Sequence, residues 1–185
     1  MVNLIIDEQR VSVEQGTTIL KAAGSIGIDI PTLCSFKDFT PEGFCRMCMV
    51  EVVGSKELEK SCSTPVAEGM VVNTDTNEVR KARREALKAL MVDHKFECIT
   101  CYKYESCFFF ENNASCIDFD TAKAVRTEGY AERPIDDSNP FYTYDPGMCV
   151  LCGRCIKACD QLQGNHVLAQ FDREHDNMIH TVADL

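Results

Sequence analysis

Residues 34–62 read CSFKDFTPEGFCRMCMVEVVGSKELEKSC, with the cysteines falling as Cys34-x10-Cys45-x2-Cys48-x13-Cys62. A C-x2-C pair with one thiol well before it and another well after it lets a loop fold over a small inorganic group and meet it from several sides. Gly43, just ahead of the pair, eases close approach of the backbone. Zinc ribbons also use C-x2-C, but in two such pairs, and this block has one. The spacing favours a 2Fe-2S cluster over zinc.

The flanking segments read as a small β-rich unit with one helix, over residues 1 to about 75. VNLIID (2–7) and RVSV (10–13) are apolar runs split by a polar turn around Glu8 and Gln9, which predicts a hairpin. TTILKAAGSIG (17–27) predicts a helix capped by Thr17 or Thr18. Met49 to Val53 and Met70 to Val72 can complete the sheet.

The period then changes. Between Asn77 and His94, Val79, Ala82, Ala86, Leu87, Leu90 and Met91 recur at three- and four-residue steps. Arg80, Lys81, Arg83, Arg84 and Lys88 fill the remaining positions, so an amphipathic helix with a solvated basic face is expected, or one that docks an acidic partner. Residues 119–147 are rich in Asp, Glu, Pro and Tyr and read as an extended connector. The tail from His166 alternates enough for a second hairpin.

Composition narrows the chemistry. The chain has 185 residues, 45% of them hydrophobic, twelve cysteines and a formal charge of −10. The amino terminus, MVNLIIDEQR, lacks a basic leader, and no run reaches the roughly 20 apolar residues of a membrane span. A cytoplasmic protein is expected, where clustered thiols bind metal more often than each other. Net acidity argues against nucleic acid and towards protein partners.

Two further cysteine sets follow. His94-x3-Cys98-x2-Cys101-x5-Cys107 offers four ligands in one short stretch, enough for a compact cluster or a tetrahedral zinc. A neutral imidazole in place of a thiolate removes negative charge and raises the potential of an iron-sulfur centre. Cys149-x2-Cys152-x2-Cys155-x3-Cys159 is the spacing of a 4Fe-4S cluster in which the fourth cysteine ordinarily serves another centre. Asp160 stands where a proline is usual. The fourth ligand stays open: Cys159 turning back, Cys116, a partner's residue, or none. Cys116 is otherwise a small buried hydrophobe. His166, His175 and His180 have no ligand spacing and read as surface residues, while Tyr102, Tyr104 and Phe108 to Phe110 bring aromatic bulk to the second set.

In this order the three sets resemble the N-terminal iron-sulfur region shared by FeFe hydrogenases, the large iron-sulfur subunit of respiratory complex I, and NAD-linked formate dehydrogenases. The resemblance covers nearly the whole chain. It implies an α+β architecture: a β-grasp 2Fe-2S ferredoxin domain (1–76), a small helical 4Fe-4S domain with one histidine and three cysteine ligands (77–118), the connector, and a half bacterial-ferredoxin-like 4Fe-4S segment (148–185). The family's 2Fe-2S motif falls on Cys34, Cys45, Cys48 and Cys62, and its histidine-ligated 4Fe-4S motif on His94, Cys98, Cys101 and Cys107. CVLCGRCIKACDQLQG is similar to the first half of the double-cluster module that follows in those proteins.

The expected function is a wire. There is no G-x-G-x-x-G or P-loop run for a nucleotide and no catalytic motif. The resemblance implies a short electron-transfer subunit of a soluble NAD(P)-linked hydrogenase or formate dehydrogenase complex, electron-bifurcating types included. Its partners would be a flavin- and NAD(P)-binding subunit, a catalytic subunit, and other ferredoxin-like subunits. Competing readings are a free multi-cluster ferredoxin-type carrier and a zinc-stabilised interaction module.

Overall fold

The computed structural model describes residues 1–36, 41, 43–91, 94, 98, 100, 101, 103–107, 109, 110, 134–173 and 176–181. Cys116, His175 and the connector up to 133 lie outside the described residues.

The opening hairpin pairs β1 (Val2–Ile6) antiparallel with β2 (Gln9–Val13), joining Ile6 to Gln9 across a two-residue turn. Asp7 and Glu8 both take positive φ, 44° and 66°, the handedness that matches the strands' own twist. The turn thus begins one residue earlier than the polar pattern implied. The Asp7 carboxylate also accepts from the Thr74 backbone N–H at 2.7 Å, tying the turn to the end of the neighbouring strand Val71–Asn73.

Helix α1 (Ile19–Ser25) starts at Thr18, whose hydroxyl accepts from the Lys21 N–H. Between the two candidate caps, this one is used. Ile19, Ala22 and Ala23 face inwards. Strands β3 (Met49–Val52), β4 (Glu59–Lys60) and β5 (Val71–Asn73) complete a mixed sheet of order β2-β1-β5-β3-β4, with β1 and β5 parallel and the other pairs antiparallel. β4 was not anticipated; two residues carry no period. Leu4, Ile6, Ile19, Val50 and Val72 form the centre of a first apolar core under this sheet.

Helix α2 (Asn77–Met91) begins where the Thr76 hydroxyl accepts from the Val79 N–H. Its buried stripe is Val79, Arg83, Leu87 and Met91. Arg83 therefore corrects the expectation of a wholly solvated basic face: it is 6% exposed. Its Nη2 donates to the carbonyls of Met49 and Thr74, both at 2.9 Å, and these acceptors offset the cost of burying the guanidinium.

Beyond α2 come short helical turns at Tyr104–Ser106 and Pro146–Met148, then α3 (Arg154–Lys157) running into a π-helical turn over Ala158–Gln163. The expected second hairpin is present as β6 (Leu168–Arg173) and β7 (Asp176–Thr181). No helix among the described residues is long and apolar enough to cross a membrane.

Candidate metal centres

All four cysteines of the first set are buried. Two loops bring them there. Cys45 and Cys48 flank Arg46, whose φ of 54° turns the chain left-handed, and Gly43 (φ 68°) does the same on the approach. Gly43 has a further reason to lack a side chain, since a Cβ there would stand 2.6 Å from Lys60 Cδ. Cys62 is fixed by its neighbour: Ser61 donates its N–H to the Cys48 carbonyl, and its own carbonyl takes the Leu20 N–H of α1.

The thiols sort into two pairs. Cys45 hydrogen-bonds Cys34 and lowers its pKa, while its own is raised by giving that bond and by burial. Cys48 and Cys62 repeat the pattern, with Cys62 lowered and Cys48 raised. Cys34 also donates its N–H to Cys45 Sγ at 3.5 Å. Cys34, brought down to about 5, favours the thiolate, and Cys62 is shifted in the same direction, each with a partner thiol beside it. Two irons of a 2Fe-2S cluster need two protein sulfurs apiece, whereas zinc draws four ligands to one point at about 2.3 Å for sulfur. The donor set fits the binuclear group.

His94 lies just beyond α2, its N–H bonded to the Met91 carbonyl. Burial lowers its pKa, outweighing the Met148 backbone and the Asp145 charge, so the ring is neutral. Its Nδ1 is buried with no hydrogen-bond partner, a lone pair suited to a metal. Phe109 packs beside the ring, centroids 6.1 Å apart. Burial pushes the Cys98 thiol up, and Cys107 and Cys101 add to this by repulsion, which places the three thiols in one electrostatic neighbourhood. Cys101 Sγ accepts from Lys103 N–H and Cys107 Sγ from Phe110 N–H, each at 3.4 Å.

The third set repeats the left-handed device with Leu151 (φ 51°) and Gly153 (φ 72°). Burial raises the Cys149 pKa, and Cys155 and Cys152 repel it further. Cys155 is exposed at its surface, yet partial desolvation and then the Cys152 charge raise its pKa, with Cys159 also contributing. Cys159 is buried, and its Sγ accepts from the Val167 N–H at 3.2 Å. Asp160, in the usual proline position, meets His166 Nδ1 at 3.0 Å on the surface.

The sets do not stand apart. Cys48 and Cys62 belong to the first core, whereas Cys34 and Cys45 belong to a second one with Leu33, Met47, Leu87, Met91 and Phe109. Cys107 of the second set and Cys152 of the third pack against that same second core. No periodicity or spacing signals this meeting, because it depends on how α2 lies against the Cys45 loop.

Residues 1–77 match the family model described as a 2Fe-2S iron-sulfur cluster binding domain. Proteins of Staphylococcus aureus strains USA300 and NCTC 8325, named "Putative formate dehydrogenase", are 36% identical over 180 residues, 94% of this chain. The chain spans 17% of the length of those relatives. Among solved structures, a chain of NAD+-reducing [NiFe]-hydrogenase in the H2-reduced state superposes with a TM-score of 0.81 at 27% identity, covering 98% of this chain and 75% of that one.

Proposed function

We infer, for a chain whose residues 1–77 belong to the 2Fe-2S iron-sulfur cluster binding domain family, that the whole is an iron-sulfur electron-transfer subunit of a cytoplasmic NAD(P)-linked hydrogenase or formate dehydrogenase complex. It relays single electrons between a flavin- and NAD(P)-binding partner and a catalytic partner. The observation that carries this reading is the shared second core, into which residues of all three cysteine sets converge. A carrier with one centre has no need of such a junction; a relay does.

When bound, iron-sulfur clusters supply one-electron exchange at potentials that the surrounding protein sets. The chain's residues hold and tune them. Cys34 with Cys45, and Cys48 with Cys62, form the two ends of a 2Fe-2S seat, and the two protonated members give up their protons on loading. His94 Nδ1 with Cys98, Cys101 and Cys107 forms a 4Fe-4S seat of reduced negative charge. Cys149, Cys152 and Cys155 form a second, and the burial of Cys159 and its electrostatic contact with Cys155 support it as the fourth ligand. Backbone N–H donors to Cys45, Cys101, Cys107, Cys149 and Cys159 favour the more negative, reduced states.

Iron and acid-labile sulfide per chain on anaerobically purified protein test this directly. About ten irons correspond to one 2Fe-2S and two 4Fe-4S clusters, and about six to the first two seats alone. Zinc in place of iron would overturn the relay reading. Gel filtration of native extract tests the partners: co-elution with a flavoprotein is expected, and elution as a free small protein favours a diffusible carrier.

A further inference from the structure

Helix α3 belongs to the third cysteine block by sequence, yet its two cations lie over the loop of the first. Arg154 Cζ stands 4.4 Å from the centroid of the Phe36 ring, and Lys157 Nζ stands 5.8 Å from that of Phe44. Both rings lie on the segment between Cys34 and Cys45. The two ends of the contact differ in burial. Phe44 is 69% exposed, while Lys157 is 4% exposed, an unusual burial for an ammonium.

We propose that Lys157 is a positioning residue that raises the reduction potential of the 2Fe-2S centre held by Cys34, Cys45, Cys48 and Cys62, through a buried positive charge pinned over the Cys34–Cys45 loop by Phe44. The inference rests on the reading of the first set as a 2Fe-2S seat. Reduction adds one electron, and so one negative charge, to that seat. A fixed cation nearby stabilises the reduced form more than the oxidised one, and burial weakens the screening that would cancel the effect at a surface. For unit charges about 10 Å apart at an effective dielectric of about 20, Coulomb's law gives a bias on the order of tenfold. Because α3 lies between Cys152 and Cys159, closure of the third block is what delivers the charge, so the first centre's potential depends on a segment more than a hundred residues further along the chain.

The test is a potentiometric titration of the full chain, anaerobic and cluster-loaded, with each centre followed by electron paramagnetic resonance. In Lys157→Met the reduced-to-oxidised ratio of the 2Fe-2S centre at fixed potential should fall about tenfold, a drop in midpoint of about 59 mV for one electron. Lys157→Arg, which keeps the charge, should stay within about threefold of wild type on the same scale. The histidine-ligated centre should move less than the first in both. A loaded Lys157→Met that titrates with wild type overturns the proposal, as does an arginine variant that falls as far as methionine. Should Lys157→Met not retain its cluster, Lys157→Gln carries the test, because it removes the charge while keeping a polar end on the side chain: a downward shift supports the proposal, and an unmoved midpoint overturns it. Wild-type protein with no 2Fe-2S signal brings down the underlying reading itself, and the inference with it.

Discussion

Arg83 Nη2 lies 2.9 Å from the carbonyl oxygen of Met49, the residue that follows Cys48. Helix α2 is therefore pinned to the strand leaving the first C-x2-C loop, and the same nitrogen reaches Thr74 as the sheet ends. Replacing Arg83 with Met should leave both carbonyls without this donor at a cost of about 2–3 kcal/mol. A urea titration of the loaded protein should show the lower midpoint. No change would mean that water replaces the guanidinium without loss.

His94→Cys exchanges a neutral ligand for a thiolate. The histidine-ligated centre should keep its iron while its midpoint falls by roughly 60 mV or more, a tenfold or greater change in redox ratio. His94→Ala should lose iron from that centre alone. If His94→Ala retains all of its iron with an unaltered spectrum, the imidazole is not a ligand.

Gly43→Ala puts a Cβ against Lys60 Cδ and demands a left-handed residue with a side chain. The backbone alone costs about 1–2 kcal/mol, and Lys60 must move as well. The expected readout is faster loss of 2Fe-2S absorbance to an iron chelator, with α2 and the third block unaffected at early times.

Removal of all iron should separate the two cores. The first is lined mainly by aliphatic side chains of the sheet and α1, whereas the smaller second one gathers Cys34, Cys45, Cys107 and Cys152 from three cysteine sets. Hydrogen exchange on the apoprotein should therefore show protection kept in β1, β2 and α1 and lost around Cys98 to Cys107 and Cys149 to Cys159. Uniform loss would show that the sheet also depends on metal.

Much of this was legible because it is local. The hairpin follows from alternation at Val2, Leu4 and Ile6, α1 from a cap and two apolar residues beyond it, and α2 from a long regular stripe. The cysteine sets announce themselves by spacing. Long-range matters were hidden. Arg83 sits at a stripe position but reads as polar, and the Met49 carbonyl, distant in sequence, and that of Thr74 account for its burial. Lys157 looks like any basic residue of a short helix until Phe44 is placed beneath it. The parallel pairing of Ile5 with Val71 joins strands 66 residues apart, a distance over which periodicity says nothing.

The straddling of the first site has a consequence for how such chains can be cut and joined. The match to the 2Fe-2S domain model ends at residue 77, but the apolar enclosure of Cys34 and Cys45 closes only with Leu87, Met91 and Phe109. A gene fusion or truncation made at the edge of the recognisable module would uncover Leu33 and Met47 and open one end of the metal seat to solvent. The transferable unit, in recombination or in engineering, is longer than the 2Fe-2S domain that the family model delimits.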